Sequence, residues 1–425
     1  MNKDWKPGPE ALEVLDTLKK HHIPAWIVGG YLRDAIAGRE PDDIDIAVQA
    51  RPGDILAIWP EGVQINPDYG TVLLPEKMHV ELTPLRGRTI EKDLARRDFT
   101  MDAIAWSPED GLLDPLGGAK DIEAGIIREA GCDAFLKDPL RLLRAYWLQA
   151  RGYGKPDEQT EKDIHKYASL LETAAPERIV PLLETILKED PDRLEDMTDL
   201  LQPWIPELQT MKETEQNTKY HYTDVLHHTI DALKQAGSDD PAVLWALLLH
   251  DIGKPETKTT DEKGDHFKKH PLVSTKIARR VAKELKLSKK LQKEIPELVL
   301  HHDSFYRPDL KNIWKLRHEK GFSDEMMQHL FAVQRGDILA HATHDRLPQL
   351  EAFEKFYNEE KQKRPLSLKE LKAGGREAEE AGFHGSQAGE ALEQLLKHMF
   401  YHPQENTLEG GRKYLAGLAR QKGLA

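Results

Sequence analysis

The chain is expected to fold as an α/β head followed by an all-helical remainder, and three observations lead there. From Trp26 to Ala47 the residues run as strand, glycine turn, short helix and second strand. Two more apolar strands follow, Gly70 to Leu74 and His79 to Leu82, and the stretch beyond about residue 126 reads as helices. With 425 residues there is room for two to four domains and a sizeable buried core.

Composition excludes several classes. The single cysteine, Cys132, rules out a disulfide framework and points to a reducing compartment, the cytoplasm. No apolar run is long enough to span a membrane, and Met1-Asn2-Lys3-Asp4-Trp5 lacks the plan of a signal peptide. A formal net charge of −13 argues against indiscriminate nucleic-acid binding, while leaving local basic faces available for it.

Taken in order, Pro9 to Lys20 is an amphipathic helix with Leu12, Leu15 and Leu18 on one side. Trp26-Ile27-Val28 breaks at Gly29-Gly30, where the backbone can approach a ligand closely, and Asp34 to Gly38 fits a short helix ended by glycine. In Asp43-Ile44-Asp45-Ile46 the strand period of two puts both carboxylates on one face. Such carboxylates repel unless a cation sits between them, and hard oxygen ligands suit Mg²⁺. Asp54 to Trp59 is a helical turn. Glu81, on a strand beside the Asp-x-Asp strand, either completes a metal site or is structural. A helix at Thr89 to Arg97 leads into Arg96-Arg97-Asp98, which offers phosphate donors and an acceptor for a ribose hydroxyl. The turn-rich Asp110 to Gly118 closes the head.

On a helix beginning near Pro139, Asp138 and Arg141 project from the same side. An Asp acceptor beside an Arg fork can imitate a base edge, although an N-cap with an i,i+3 ion pair has the same spacing. A second constellation opens near His221. It comprises His228, His250-Asp251 after the apolar Leu244 to Leu249, His270, His301-His302-Asp303 and Asp337. His227 competes with His228, and His301 with His302. Imidazoles with carboxylates bind divalent transition metals, which activate water. Lys276, Arg279, Arg280, Lys283, Lys286, Lys289, Lys290 and Lys293 are either a solvated face or a phosphate track.

The joint pattern of Gly29-Gly30, Arg33-Asp34, Gly38 and Asp43-x-Asp45 resembles the signature of the class II tRNA nucleotidyltransferase and bacterial poly(A) polymerase family. That resemblance implies a head with a mixed sheet, Asp43 and Asp45 as catalytic holders of Mg²⁺, and Gly29, Gly30 and Arg33 as the triphosphate cradle. Arg96 to Ala103 resembles the family's ribose-discriminating box, which implies nucleotide contacts for Arg97 and Asp98; Asp102 stands where that box has Asn. Asp138, Arg141 and Arg144 fall in its base-reading motif, and Glu177-Arg178 in a box that supports it. His228, His250, Asp251 and Asp337, with His270 and His302, resemble an HD phosphohydrolase domain, implying a divalent transition metal. The expected domains are a head at 1–125, a helical neck at 126–185, an HD body at 186–350 and a tRNA-binding tail at 351–425.

In that family, members completing the CCA end carry an extra loop between the strand of Glu81 and the Arg-Arg-Asp box. Here Val80 to Leu85 runs through Arg86-Gly87-Arg88 almost directly into the next helix. The resemblance therefore implies an enzyme that adds two cytidines from CTP to tRNA lacking its CCA end. Full CCA addition using ATP, a poly(A) polymerase, and a chain that is mainly an HD phosphohydrolase are the alternatives. Oligomeric state is left open.

Overall fold

The computed structural model describes residues 6–66, 69–75, 80–218, 223–262 and 264–424. They form two compact units, one of residues 1–214 with 280–289, the other of residues 215–279 with 290–425. His79 and His221, used in the sequence reading, lie outside the described residues.

The first unit is built on a seven-stranded mixed sheet. In chain order its head runs α1 (Pro9–Lys20), β1 (Ala25–Val28), α2 (Gly30–Ile36), β2 (Ile44–Val48), α3 (Pro52–Ile58), β3 (Val63–Asn66), β4 (Thr71–Leu74), β5 (Val80–Pro84), α4 (Ile90–Leu94), β6 (Ala105–Ser107), β7 (Gly111–Leu113) and α5 (Gly118–Ala124). The strand order is β3-β4-β5-β2-β1-β6-β7, with β2 and β5 parallel and the other neighbours antiparallel. One face of the sheet buries Ile27, Ile44, Ile46, Val72 and Leu82 with Val14, Leu15 and Leu18 of α1. The other buries Val28 and Ala47 with Ile90 and Leu94 of α4. Both isoleucines of the Asp-x-Asp stretch thus anchor in the core, which aims Asp45 to the opposite face. In α1 the buried stripe is Ala11, Val14, Leu15 and Leu18; Leu12 is only half-buried.

Local boundaries differ from the sequence reading, three of them close to the motifs, while the helical turn read at Asp54 to Trp59 is Pro52–Ile58 and the turn-rich Asp110 to Gly118 contains β7. The helix after the glycines begins at Gly30, not Asp34, because Gly29 at φ 69° turns the chain directly into it and Arg33 N–H donates to Gly29 O at 3.1 Å. Asp43 precedes β2 by one residue. The helix expected to Arg97 ends at Leu94, and Arg96 and Arg97 continue it only as tight turns onto Asp93 and Leu94 carbonyls.

Beyond the head come β8 (Ile126–Ile127), α6 (Ala134–Lys137), α7 (Leu140–Ala150), β9 (Lys155–Pro156), α8 (Glu158–Tyr167), α9 (Pro176–Glu189) and α10 (Glu207–Lys212). α7 and α9 pack on each other, and their Leu142, Leu143, Ile179 and Leu183 are all fully buried.

Helices dominate the chain from residue 215 on: α11 (Val225–Ala236), α12 (Pro241–Leu249) and α13 (Lys254–Thr257), a small hairpin of β10 (Thr259–Asp261) and β11 (Gly264–His266), then α14 (His270–Glu284), α15 (Lys289–His301), α16 (Leu310–Trp314), α17 (Asp324–Leu339) and α18 (Leu347–Glu360). α12 is buried along its whole length from Ala242 to Leu249, the expected apolar run. Gly336 lets α17 approach α11 closely, since a Cβ there would sit 2.8 Å from Ala232 O. A terminal bundle of α19 (Gly375–Glu380), α20 (Ser386–Tyr401) and α21 (Leu408–Gln421) has its own core around Phe383, Leu395, Met399 and Leu415.

Candidate active site and metal cluster

The β1–α2 turn and the central strands β2 and β5 open into a cavity of about 490 Å³. Most of the head and neck residues singled out in the sequence line it: Gly29, Gly30, Arg33, Asp43, Asp45, Glu81, Arg97, Asp98, Asp138, Arg141, Arg144 and Arg178, while Arg96 and Glu177 do not. Parallel pairing of β2 with β5 sets Asp45 opposite Glu81. Burial, together with the charges of Asp102 and Asp43, pushes the Asp45 carboxyl up despite Arg97 and Arg144. A carboxylate so placed is a ready ligand for a hard cation, and the Asp43–Asp45 donor set fits Mg²⁺. Gly29 leaves room beside it, because a Cβ there would lie 3.0 Å from Arg97 Nη1 and 3.2 Å from Asp45 Oδ2.

The arginines divide into held and presented groups. Arg33, expected in the triphosphate cradle, is buried: its Nε donates to Asp34 Oδ1 at 3.0 Å and its Nη1 to Asp102 Oδ1 at 2.7 Å. Its guanidinium carbon lies 4.4 Å from the Tyr153 ring centroid. Arg33 therefore braces the glycine turn, and Asp102, where the family box has Asn, supplies its counter-charge. Arg97 is held by Asp93 Oδ2 at 3.2 Å. Asp98 is ion-paired with Arg141, whose Nε lies 2.6 Å away, and with Arg144, whose Nη1 lies 2.8 Å away. Burial opposes ionisation of Asp98, but Arg144, Arg141 and Arg97 outweigh it and hold the carboxyl below its usual range.

Asp138 and Arg141, expected to project from the same side, do not pair with each other through their side chains. Arg141 is buried, donating to the carbonyls of Arg96 at 2.9 Å and Ala134 at 3.2 Å, so its fork ties α7 to the Arg-Arg-Asp turn. Asp138 pairs instead with Arg178 Nη2 at 2.8 Å. Arg178, read from sequence as a support, is half-exposed and completes the acceptor–donor pair on the cavity wall. Trp147, Arg151, Tyr153 and Asp93 were missed. Only Asp93 left a signal, four residues ahead of Arg97.

In the second unit, α11, α12, α14, α15 and α17 bring the histidines together. His228, His250, Asp251 and Asp337 form one group, and Asp251, His270 and His302 a second, each with ligand atoms within 4.8 Å of one another. His228 Nε2 lies 3.0 Å from Asp337 Oδ1 and 3.4 Å from His250 Nε2. His270 Nε2 lies 3.2 Å from His302 Nε2 and 3.1 Å from Asp251 Oδ1. The Nδ1 atoms of His250, His270 and His302 face the carbonyls of Leu247, Phe267 and Val299 at 2.6, 2.9 and 2.7 Å, which fixes the tautomer that presents Nε2 inward. That donor set suits transition ions, with Asp251 common to both groups. Between the competing neighbours, the cluster contains His228 and His302; His227 turns to Asp224 and His301 to Tyr306. Lys254, 2.6 Å from Asp251 Oδ2, and His341, stacked on His228, were missed. Both stand one helical turn from a named ligand.

Four of the eight residues of the basic run are ion-paired: Arg279 with Glu297, Arg280 with Glu207, Lys286 with Glu177 and Lys290 with Glu325. These four behave as ion-paired surface residues.

Residues 25–128 match the Poly A polymerase head domain family, and residues 218–333 the HD domain family. A CC-adding tRNA nucleotidyltransferase of Shouchella clausii (strain KSM-K16) is 38% identical over 187 residues, 43% of this chain and 49% of that protein. A CCA-adding enzyme of Bacillus cereus (strain G9842) is 30% identical over 300 residues, 65% of this chain and 72% of that protein. The chain spans about half the length of the first of these relatives. In fold it resembles the Bacillus stearothermophilus CCA-adding enzyme solved in complex with CTP, at TM-score 0.69 and 23% identity, covering 98% of this chain and 99% of that one. The chain belongs to the family of CCA- and CC-adding tRNA nucleotidyltransferases that join this head to an HD domain. Among the described residues no helix is long and apolar enough to cross a membrane.

Proposed function

We propose that this chain is a nucleotidyltransferase that extends the 3′ end of tRNA lacking its CCA end, taking cytidines from CTP and stopping after two. The observation that carries the specificity is the connection between β5 and α4, only residues 85–89. So short a link provides no segment to reorient the base-reading wall from cytosine to adenine. The relative named as CC-adding supports the same reading. A second reading, full CCA addition with ATP as last substrate, is favoured by the relative of that name from Bacillus cereus.

Asp43 and Asp45 would hold Mg²⁺, which when bound stabilises negative charge on the triphosphate and the attacking hydroxyl. Gly29 and Gly30 admit the phosphates beside Arg97. Asp98, locked by Arg141 and Arg144, offers an oriented acceptor to the ribose. Asp138 with Arg178 presents one acceptor and one donor fork to the base edge. We assign head, neck, HD body and tail to residues 1–125, 126–185, 186–350 and 351–425, which the matches at 25–128 and 218–333 support. The HD cluster, with a transition metal, fits phosphoester hydrolysis, and the exposed thiol of Cys132 agrees with the cytoplasm. Labelled CTP or ATP, offered singly with Mg²⁺ and tRNA lacking CCA, tests the reading. Incorporation of cytidine supports it; incorporation of adenosine alone refutes it.

A further inference from the structure

A third group of ligand-type side chains lies in the second unit, away from the HD cluster. His329 and Glu325 stand one turn apart on α17, and Asp240 caps the N-terminus of α12. Their ligand atoms lie within 4.8 Å of one another. Asp337 is eight residues further along α17, about 12 Å along the helix axis, so this group and the HD cluster share no ligand.

Its geometry is that of a prepared imidazole. His329 Nδ1 meets Glu294 Oε1 at 2.6 Å, a buried contact that commits Nδ1 to donating and leaves Nε2 as the outward nitrogen. Nε2 lies 3.2 Å from Asp240 Oδ2. Asp240 is itself oriented, because its Oδ1 accepts from Ala242 N–H at 2.8 Å. Three carboxylates, Asp240, Glu294 and Glu325, face one ammonium, Lys290, 2.7 Å from Glu325 Oε2. With a neutral imidazole two negative charges remain uncompensated, matching a divalent ion. Asp240 and Glu325 are about half-exposed, so solvent reaches the spot, and Lys290 is exposed enough to swing away at little cost.

We propose that His329, Asp240 and Glu325 form a second divalent-metal site, with Glu294 as the carboxylate that orients the histidine. One imidazole nitrogen with two carboxylate oxygens selects a borderline transition ion of the zinc class over Mg²⁺. Such an ion ties the start of α12, which is followed directly by His250, to α17, which carries Asp337, and so braces the helices that hold the HD cluster.

The test is calorimetric titration of the metal-stripped full chain with Zn²⁺, comparing wild type, D240N/E325Q and the HD-cluster variant D251N. Asn keeps the helix cap and Gln keeps the volume, so the double variant retains the fold, checked by its metal-free melting curve. The proposal expects D240N/E325Q to bind one fewer equivalent than wild type, or to bind it at least tenfold more weakly, while D251N keeps that equivalent. E325Q alone, changed only at a half-exposed position, must show the same weakening. Equal stoichiometry and affinity in wild type and D240N/E325Q overturns the proposal and leaves His329 as a charged bridge between Glu294 and Asp240. Loss of the same equivalent in D251N also overturns it.

Discussion

Asp45 sits where its surroundings disfavour its charge: burial raises its carboxyl, and Asp102 and Asp43 add to that. Such a residue contributes to function at the expense of the fold. We expect Asp45→Asn to lower single-turnover cytidine transfer by about 10³-fold without lowering the melting temperature. A destabilised variant that still transfers would remove Asp45 from catalysis. The two arginines near Asp138 separate the opposite way. Arg141→Ala leaves Asp98 and three carbonyls facing a buried hole, costing roughly 3–5 kcal/mol by denaturant unfolding. Arg178→Ala, on a half-exposed ion pair, should cost about 0–1 kcal/mol yet raise KM for CTP; equal stability losses would contradict that division. Glu129 gives a pH test. Burial, reinforced by Asp163, Asp157 and Asp133, raises its carboxyl to about 7. The folded chain then holds that proton more tightly than the unfolded chain, so stability falls as pH rises from about 4.5 to about 7. Denaturant unfolding at pH 5 and pH 7.5 should show a smaller drop in Glu129→Gln than in wild type.

At the scale of elements, spacing within one strand or turn was readable and partners across elements were not. Gly29-Gly30 and Asp43-x-Asp45 announce a turn and a strand face because each is set by the neighbouring backbone. The burial of Arg33 depends on Asp102, 69 residues away, and the pairing of Asp138 with Arg178 spans 40 residues. No local period encodes either. β3 went unread because Val63 and Ile65 are exposed, so its alternation points to no core. The choice of His228 over His227 follows from the buried stripe of α11, Val225, Leu226, Thr229 and Ile230, which the sequence carries. Gly336→Ala probes the helix pair behind the HD cluster. Its Cβ would lie 2.8 Å from Ala232 O and 3.0 Å from Ala236 Cβ. We expect a loss of about 1–3 kcal/mol by thermal or denaturant unfolding, and an unchanged stability would show that α11 and α17 have slack.

At the scale of the molecule, each compact unit encloses a site of its own, a carboxylate-and-arginine cavity in one and a histidine–aspartate cluster in the other. Under the proposed function the first would take a nucleoside triphosphate and the second transition ions, two chemistries on one chain. The reading turns on what the head adds and when it stops. The most direct measurement sizes the products of a single-turnover reaction on tRNA lacking CCA, with CTP and ATP present together. Products ending at two added cytidines are predicted, with no third addition however long the reaction runs. A terminal adenosine on those products would contradict the account, and would mean that the base-reading wall of Asp138 and Arg178 reorients without a longer β5–α4 connection.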